Sequence, residues 1–193
     1  GDARVLTAKG SAVMAWGAGA WAAACACRAW PRIAASSAPV IFSHANPLAL
    51  AEHGRNITDE QIRACAATGG VVCISGVSKF LGCDAPQASD LARHVAYVAN
   101  LVGAQHVGLG LDIGFSQAGL NDDPPGAFDP GFWWPAQAGY GRGISQMRYA
   151  PIETWQTLPD ALRAVGMGPQ EVNGVLGDNM ARVARQVWGA AAD

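Results

Sequence analysis

From residue 38 onward, short apolar runs alternate with amphipathic stretches. Val40 to Ser43 is an apolar run between Pro39 and His44, the pattern of a buried strand. Thr58 then stands as N-cap with Gln61 three residues on, a capping-box spacing. Ile62, Cys65 and Ala66 supply the buried face of a helix that ends at Gly69-Gly70. Val71 to Ser75 reads as the next strand. Ser89 or Asp90 caps a second helix, whose inward face carries Leu91, Val95, Val98 and Val102 and which stops at Gly103. His106 to Asp112 reads as the third strand. This strand–helix–strand–helix–strand order predicts an α/β fold with parallel strands and right-handed crossovers. Three strands do not close a barrel, which takes about eight.

The flanking regions are less regular. Leu6 to Gly10 opens a helix with Thr7 as N-cap, and the signal then decays into Ala-, Gly-, Trp- and Cys-rich sequence interrupted by Pro31. Residues 113–151 form a long loop rich in Pro, Gly and aromatics, including Phe132-Trp133-Trp134-Pro135. Loops of this length are often lids or binding loops, and Trp133 and Trp134 would cover a pocket or bury a subunit contact. The tail carries helices around Leu158 to Val165 and Asn179 to Trp188. The expected organisation is one partial domain: irregular helical sequence over 1–37, a βαβαβ core over 38–112, the loop over 113–151 and helices over 152–193.

Half of the 193 residues are hydrophobic and 15% are charged, enough for one domain with a sizeable core. The net charge of −2 provides no basic field, so nucleic acid is not an expected partner. Five cysteines, an odd number without a CxxC pair, argue against a disulfide framework or zinc ribbon and for a reducing compartment. Cys65 and Cys73 read as small core residues. Ala12 to Ala29 has few Leu, Ile or Val and no basic flank, so neither a membrane span nor a signal peptide is expected. A soluble, cytoplasmic protein is the expectation. The chain begins at Gly1, not Met, and an upstream portion is expected.

Chemistry gathers where parallel strands end. His44, at the end of the first strand, reads as a metal ligand or general base, or as a histidine hydrogen-bonded in a loop. Asp112 ends the third strand beside Gly108 and Gly110, whose lack of side chains lets neighbouring backbone approach. It reads as a carboxylate for an amine, a metal or a water, or as a turn residue. Arg55, in the loop after the first strand, reads as a carboxylate-binding guanidinium or a surface arginine. His53 reads as a solvated loop residue, His94 as a packed helix residue, and His106 as lying at the wrong end of its strand.

Taken in order, Pro39 to Asn46, Arg55-Asn56-Ile57-Thr58-Asp59-Glu60, His94-Val95-Ala96-Tyr97 and Val107 to Asp112 resemble the membrane (renal) dipeptidase family. Met147-Arg148-Tyr149-Ala150-Pro151 and Leu176-Gly177-Asp178-Asn179 look like its bacterial members. The resemblance covers Ala38 to Trp188. It implies the later part of a (β/α)₈ barrel and a zinc-dependent dipeptidase with a two-zinc centre. It also implies His44 as a zinc ligand, Arg55 as the group binding the dipeptide carboxylate, and Asp112 as the catalytic carboxylate beside the substrate's amino end.

The departures from that pattern lie upstream. The family's His-x-Asp ligands, its bridging glutamate and a further zinc histidine have no counterpart, and no histidine precedes His44. The resemblance is lost between about Ala15 and Arg32 and present on both sides, the expectation for a local reading-frame disturbance or for divergence. Only partial zinc binding is expected. Exposed sheet edges and apolar surface would favour self-association, such as a homodimer. The alternatives are an inactive remnant serving as a structural or interaction module and, last, a metal-independent hydrolase, for which no Gly-x-Ser-x-Gly elbow exists.

Overall fold

The computed structural model describes residue 33 and residues 36–112 and 147–189. Strand β1 (Ile41–Phe42) is followed by helix α1 (Asp59–Ala67), strand β2 (Val71–Ile74), the one-turn helix α2 (Ser78–Leu81) and helix α3 (Ala88–Val102). Strand β3 (Val107–Leu109) completes a parallel sheet of order β1-β2-β3. Ile41 is in register with Val71, and Cys73 with Gly108. Helices α4 (Thr154–Ala164), α5 (Pro169–Asn173) and α6 (Asn179–Trp188) follow the long loop, most of which (residues 113–146) lies outside the described residues.

The strands are apolar on both faces, as parallel strands between two layers must be. Val40, Phe42, Val72, Ile74 and Val107 share one core with Ile62 and Cys65 of α1 and Leu91, Val95 and Val98 of α3. Ile41, Val71 and Cys73, pointing the other way by the two-residue period of a strand, meet Val183 of α6. Helix α6 sits at the amino ends of the strands. Its Asn179 Nδ2 donates to the carbonyls of Ala104 (2.8 Å) and Val107 (2.7 Å), and its Arg182 donates to Gly69 and Gln105. That leaves the carboxyl ends of the strands for a site.

Local sequence explains most boundaries. The capping box of α1 is present: Thr58 Oγ1 accepts the Gln61 N–H, and Gln61 Oε1 accepts the Thr58 N–H. Gly69 takes the left-handed conformation that ends the helix, at φ 79°. Three expectations need correction. Helix α3 starts before Ser89: its N-cap is Gln87, whose N–H donates to the Asp90 carboxylate. His106 lies in a 3₁₀ turn ahead of β3, and Nδ1–H donates to the Gly70 carbonyl at 2.8 Å. The third strand closes at Leu109, although hydrogen bonding continues through Gly110 N–H to Ile74 and Gly76 N–H to Leu111. Asp112 therefore stands beyond the strand in a left-handed conformation, φ 55°.

Cys65 and Cys73 are buried, as expected, and burial pushes both thiols up to about 12. Among the described residues no helix is long and apolar enough to cross a membrane. The Ala- and Trp-rich stretch before Arg32 lies outside the described residues, as do Thr7, Trp133 and Trp134.

Candidate active site

The loop from β1 to α1 is tied to the end of β2 by one buried side chain. Asn46 Oδ1 accepts the Ser75 N–H at 2.7 Å, and Asn46 Nδ2 donates to the Ser75 carbonyl at 3.2 Å. The Ile57 N–H closes the loop on the Asn46 carbonyl. This loop carries His44, His53 and Arg55.

The imidazole of His44 is half-buried and held at both nitrogens. Arg55 Nη2 lies 2.8 Å from Nε2, and Ser43 Oγ lies 2.8 Å from Nδ1. A guanidinium can only donate, so Nε2 is the acceptor and the neutral ring carries its proton on Nδ1, toward Ser43. Burial lowers the His44 pKa below its usual value, the Asp112 charge opposes that shift and the Arg55 charge adds to it. Asp112 is thus within electrostatic reach of His44 on the same strand-end face. Close approach at that end depends on Gly110, where a Cβ would overlap the Ser43 carbonyl oxygen.

His53 is a correction. It is buried, not solvated: its ring packs at a tilt against Phe80 with centroids 4.8 Å apart, and Nδ1 accepts the Arg55 N–H at 3.1 Å. His94 is fully buried, as expected, and Nε2–H donates to the Leu81 carbonyl at 3.3 Å. Neither His94 nor His106 joins the face that holds His44.

Two contributors were missed from sequence. Ser43, at the end of the first strand, orients His44. Phe80 lies under Arg55, with Cζ 5.3 Å from the ring centroid. Its position in the loop region after a strand was the one available signal.

Among the described residues no group of three or more His, Cys, Asp or Glu side chains converges to hold a metal ion. Both nitrogens of His44 already have partners. These residues do not by themselves fit a two-metal centre.

A parallel β/α arc that gathers an arginine, an imidazole and a carboxylate at its strand ends is the arrangement of β/α-barrel enzymes. Comparison with known proteins narrows this. Residues 22–124 match the membrane dipeptidase family, peptidase family M19, and the chain belongs to that family. A dipeptidase of Aspergillus oryzae, aclJ, is 38% identical over 95 residues, 48% of this chain and 22% of its own length. An uncharacterised protein from the pqqA 5′ region of Klebsiella pneumoniae is 30% identical over 164 residues, 82% of this chain and 51% of that protein. Among solved structures, an amidohydrolase from Pseudomonas aeruginosa superposes with a TM-score of 0.65 at 30% identity, covering 84% of this chain and 50% of that one. The chain thus spans about half the length of these relatives, or less. The fold is a part of the metal-hydrolase (β/α)₈ barrel.

Proposed function

We propose that this chain carries the substrate-binding part of a zinc-dependent dipeptidase site whose metal-ligand set it does not complete. The supporting observation is the convergence of Arg55, His44 and Asp112 at the carboxyl ends of β1 and β3. A planar guanidinium offers paired N–H donors that match a terminal carboxylate. Asp112 supplies the opposite charge for a dipeptide's ammonium group. Two such groups of opposite sign select a short zwitterionic substrate over an internal stretch of a longer chain. The family resemblance assigns His44 to one zinc of the complete site, where one of its ring nitrogens would have to give up its present partner, Ser43 or Arg55. A catalytic zinc takes three protein ligands and keeps one position open. A metal held by the completed ligand set would supply water activation and polarisation of the scissile carbonyl.

The relatives' dipeptidase names support the same reading. A second reading, an interaction module, is favoured by one feature: among the described residues β1 and β3 each pair with a neighbour on one side.

The test is equilibrium binding of alanylalanine and of its C-terminal amide, with and without zinc. The free acid is expected to bind more tightly, and Arg55→Ala to abolish the difference. Equal binding of both ligands by the parent would sink the carboxylate assignment. Hydrolysis assayed alongside should stay at background for this chain. Zinc-dependent turnover lost in His44→Ala would overturn the incompleteness while retaining the activity.

A further inference from the structure

Arg55 is held on several sides. Its guanidinium lies over the Phe80 ring at 5.3 Å, Nη2 meets His44, and its backbone N–H donates to His53. His53 in turn packs on the same Phe80 ring, the two planes inclined by 52°. Both aromatic side chains are buried, His53 at 7% exposure and Phe80 at 3%. The backbone of Phe80 is itself anchored. Its carbonyl accepts from Nδ2 of Asn56, the residue next to Arg55, at 2.9 Å, and that nitrogen also donates to the Ala51 carbonyl at 2.8 Å. The start of α2 is clamped by Ser78, whose Oγ accepts the Arg148 N–H and whose N–H donates to the Arg148 carbonyl.

An arginine side chain must be ordered before it can bind a carboxylate with two bonds. A π face beneath the guanidinium attracts the cation without using the N–H donors at its edge. We propose that Phe80 and His53 are positioning residues for Arg55, a two-ring shelf that aims its guanidinium across the strand-end face at a ligand carboxylate. The carboxylate part of this rests on reading Arg55 as the anchor.

The test reads the Arg55 side-chain Nε–Hε signal in ¹⁵N-labelled protein, identified by its loss in Arg55→Lys, together with ligand affinity. Phe80→Leu keeps apolar volume and removes the π face. It is expected to collapse the ring-current shift of the Arg55 signal. It should also weaken alanylalanine about 3- to 10-fold while leaving the C-terminal amide unchanged. His53→Gln, which retains an acceptor for the Arg55 N–H, should move the same two readouts in the same direction, and it serves if Phe80→Leu fails to fold. An unchanged Arg55 signal and affinity in a folded variant would overturn the proposal. A signal that moves, in a protein that binds acid and amide equally, would keep the positioning role and refute the anchor reading.

Discussion

Arg55 places a donor on the unprotonated Nε2 of His44 across 2.8 Å, so a cation occupies the position where that ring would take up a proton. Asp112 acts on the same ring from the opposite sign. The two charged neighbours make opposite predictions. Arg55→Ala removes a repulsion against the imidazolium and should raise the His44 pKa. Asp112→Asn removes an attraction and should lower it further. Titration of the His44 ring proton by NMR reads both, and shifts of equal sign would contradict the arrangement.

Asn46 is fully buried, and its amide satisfies both backbone groups of Ser75. Replacing it with Leu leaves a buried N–H and C=O without those partners. The expected loss is about 2–3 kcal/mol in urea unfolding. The site should suffer with it, because this pair fixes the loop that holds Arg55. A loss below about 0.5 kcal/mol, within the range of ordinary surface substitutions, would show that the bridge is dispensable.

Gly110 has no room for a methyl group, since a Cβ would overlap the Ser43 carbonyl oxygen. Gly110→Ala must push the backbones of Gly110 and Ser43 apart, next to His44 and Asp112, and should cost at least about 2 kcal/mol. Gly168→Ala is the control, because its Cβ would meet only the Glu171 carboxylate at 3.7 Å. Similar stabilities for the two variants would mean that the strand ends adjust freely.

What was legible in the sequence followed short-range rules. The Thr58–Gln61 capping box, the period of Leu91, Val95 and Val98, and the apolar runs at Val40 and Val71 each depend on neighbours within a turn or a strand. His44 and Arg55 could be singled out because strand ends are where such folds place chemistry. The environment of His53 could not be read, since it is set by Phe80, which reaches it from α2 through tertiary packing. The start of α3 was misplaced because Asp90 is a good cap by type, yet here its carboxylate reaches back to the Gln87 N–H from inside the helix. Nor could the covering of Ile41, Val71 and Cys73 by α6 be foreseen, since Met180 and Val183 lie more than a hundred residues away in the chain.

His94 gives a pH dependence of stability. Burial lowers its pKa from the usual 6.5 to about 4, the nearby Arg93 charge adds to the shift, and the bond to the Leu81 carbonyl and the Asp90 charge oppose it. Below pH 6.5 the unfolded chain takes up this proton before the folded one does. Stability is therefore fully present above pH 6.5, falls as pH drops through the interval down to about 4, and levels off below it. The loss across that interval is about 3 kcal/mol. His44 shifts in the same direction, so the parent alone cannot isolate the effect. His94→Gln, which can still donate to the Leu81 carbonyl, should flatten the difference in urea-unfolding free energy between pH 7 and pH 4.5. If parent and variant lose equal stability over that range, the buried imidazole is not the group that titrates.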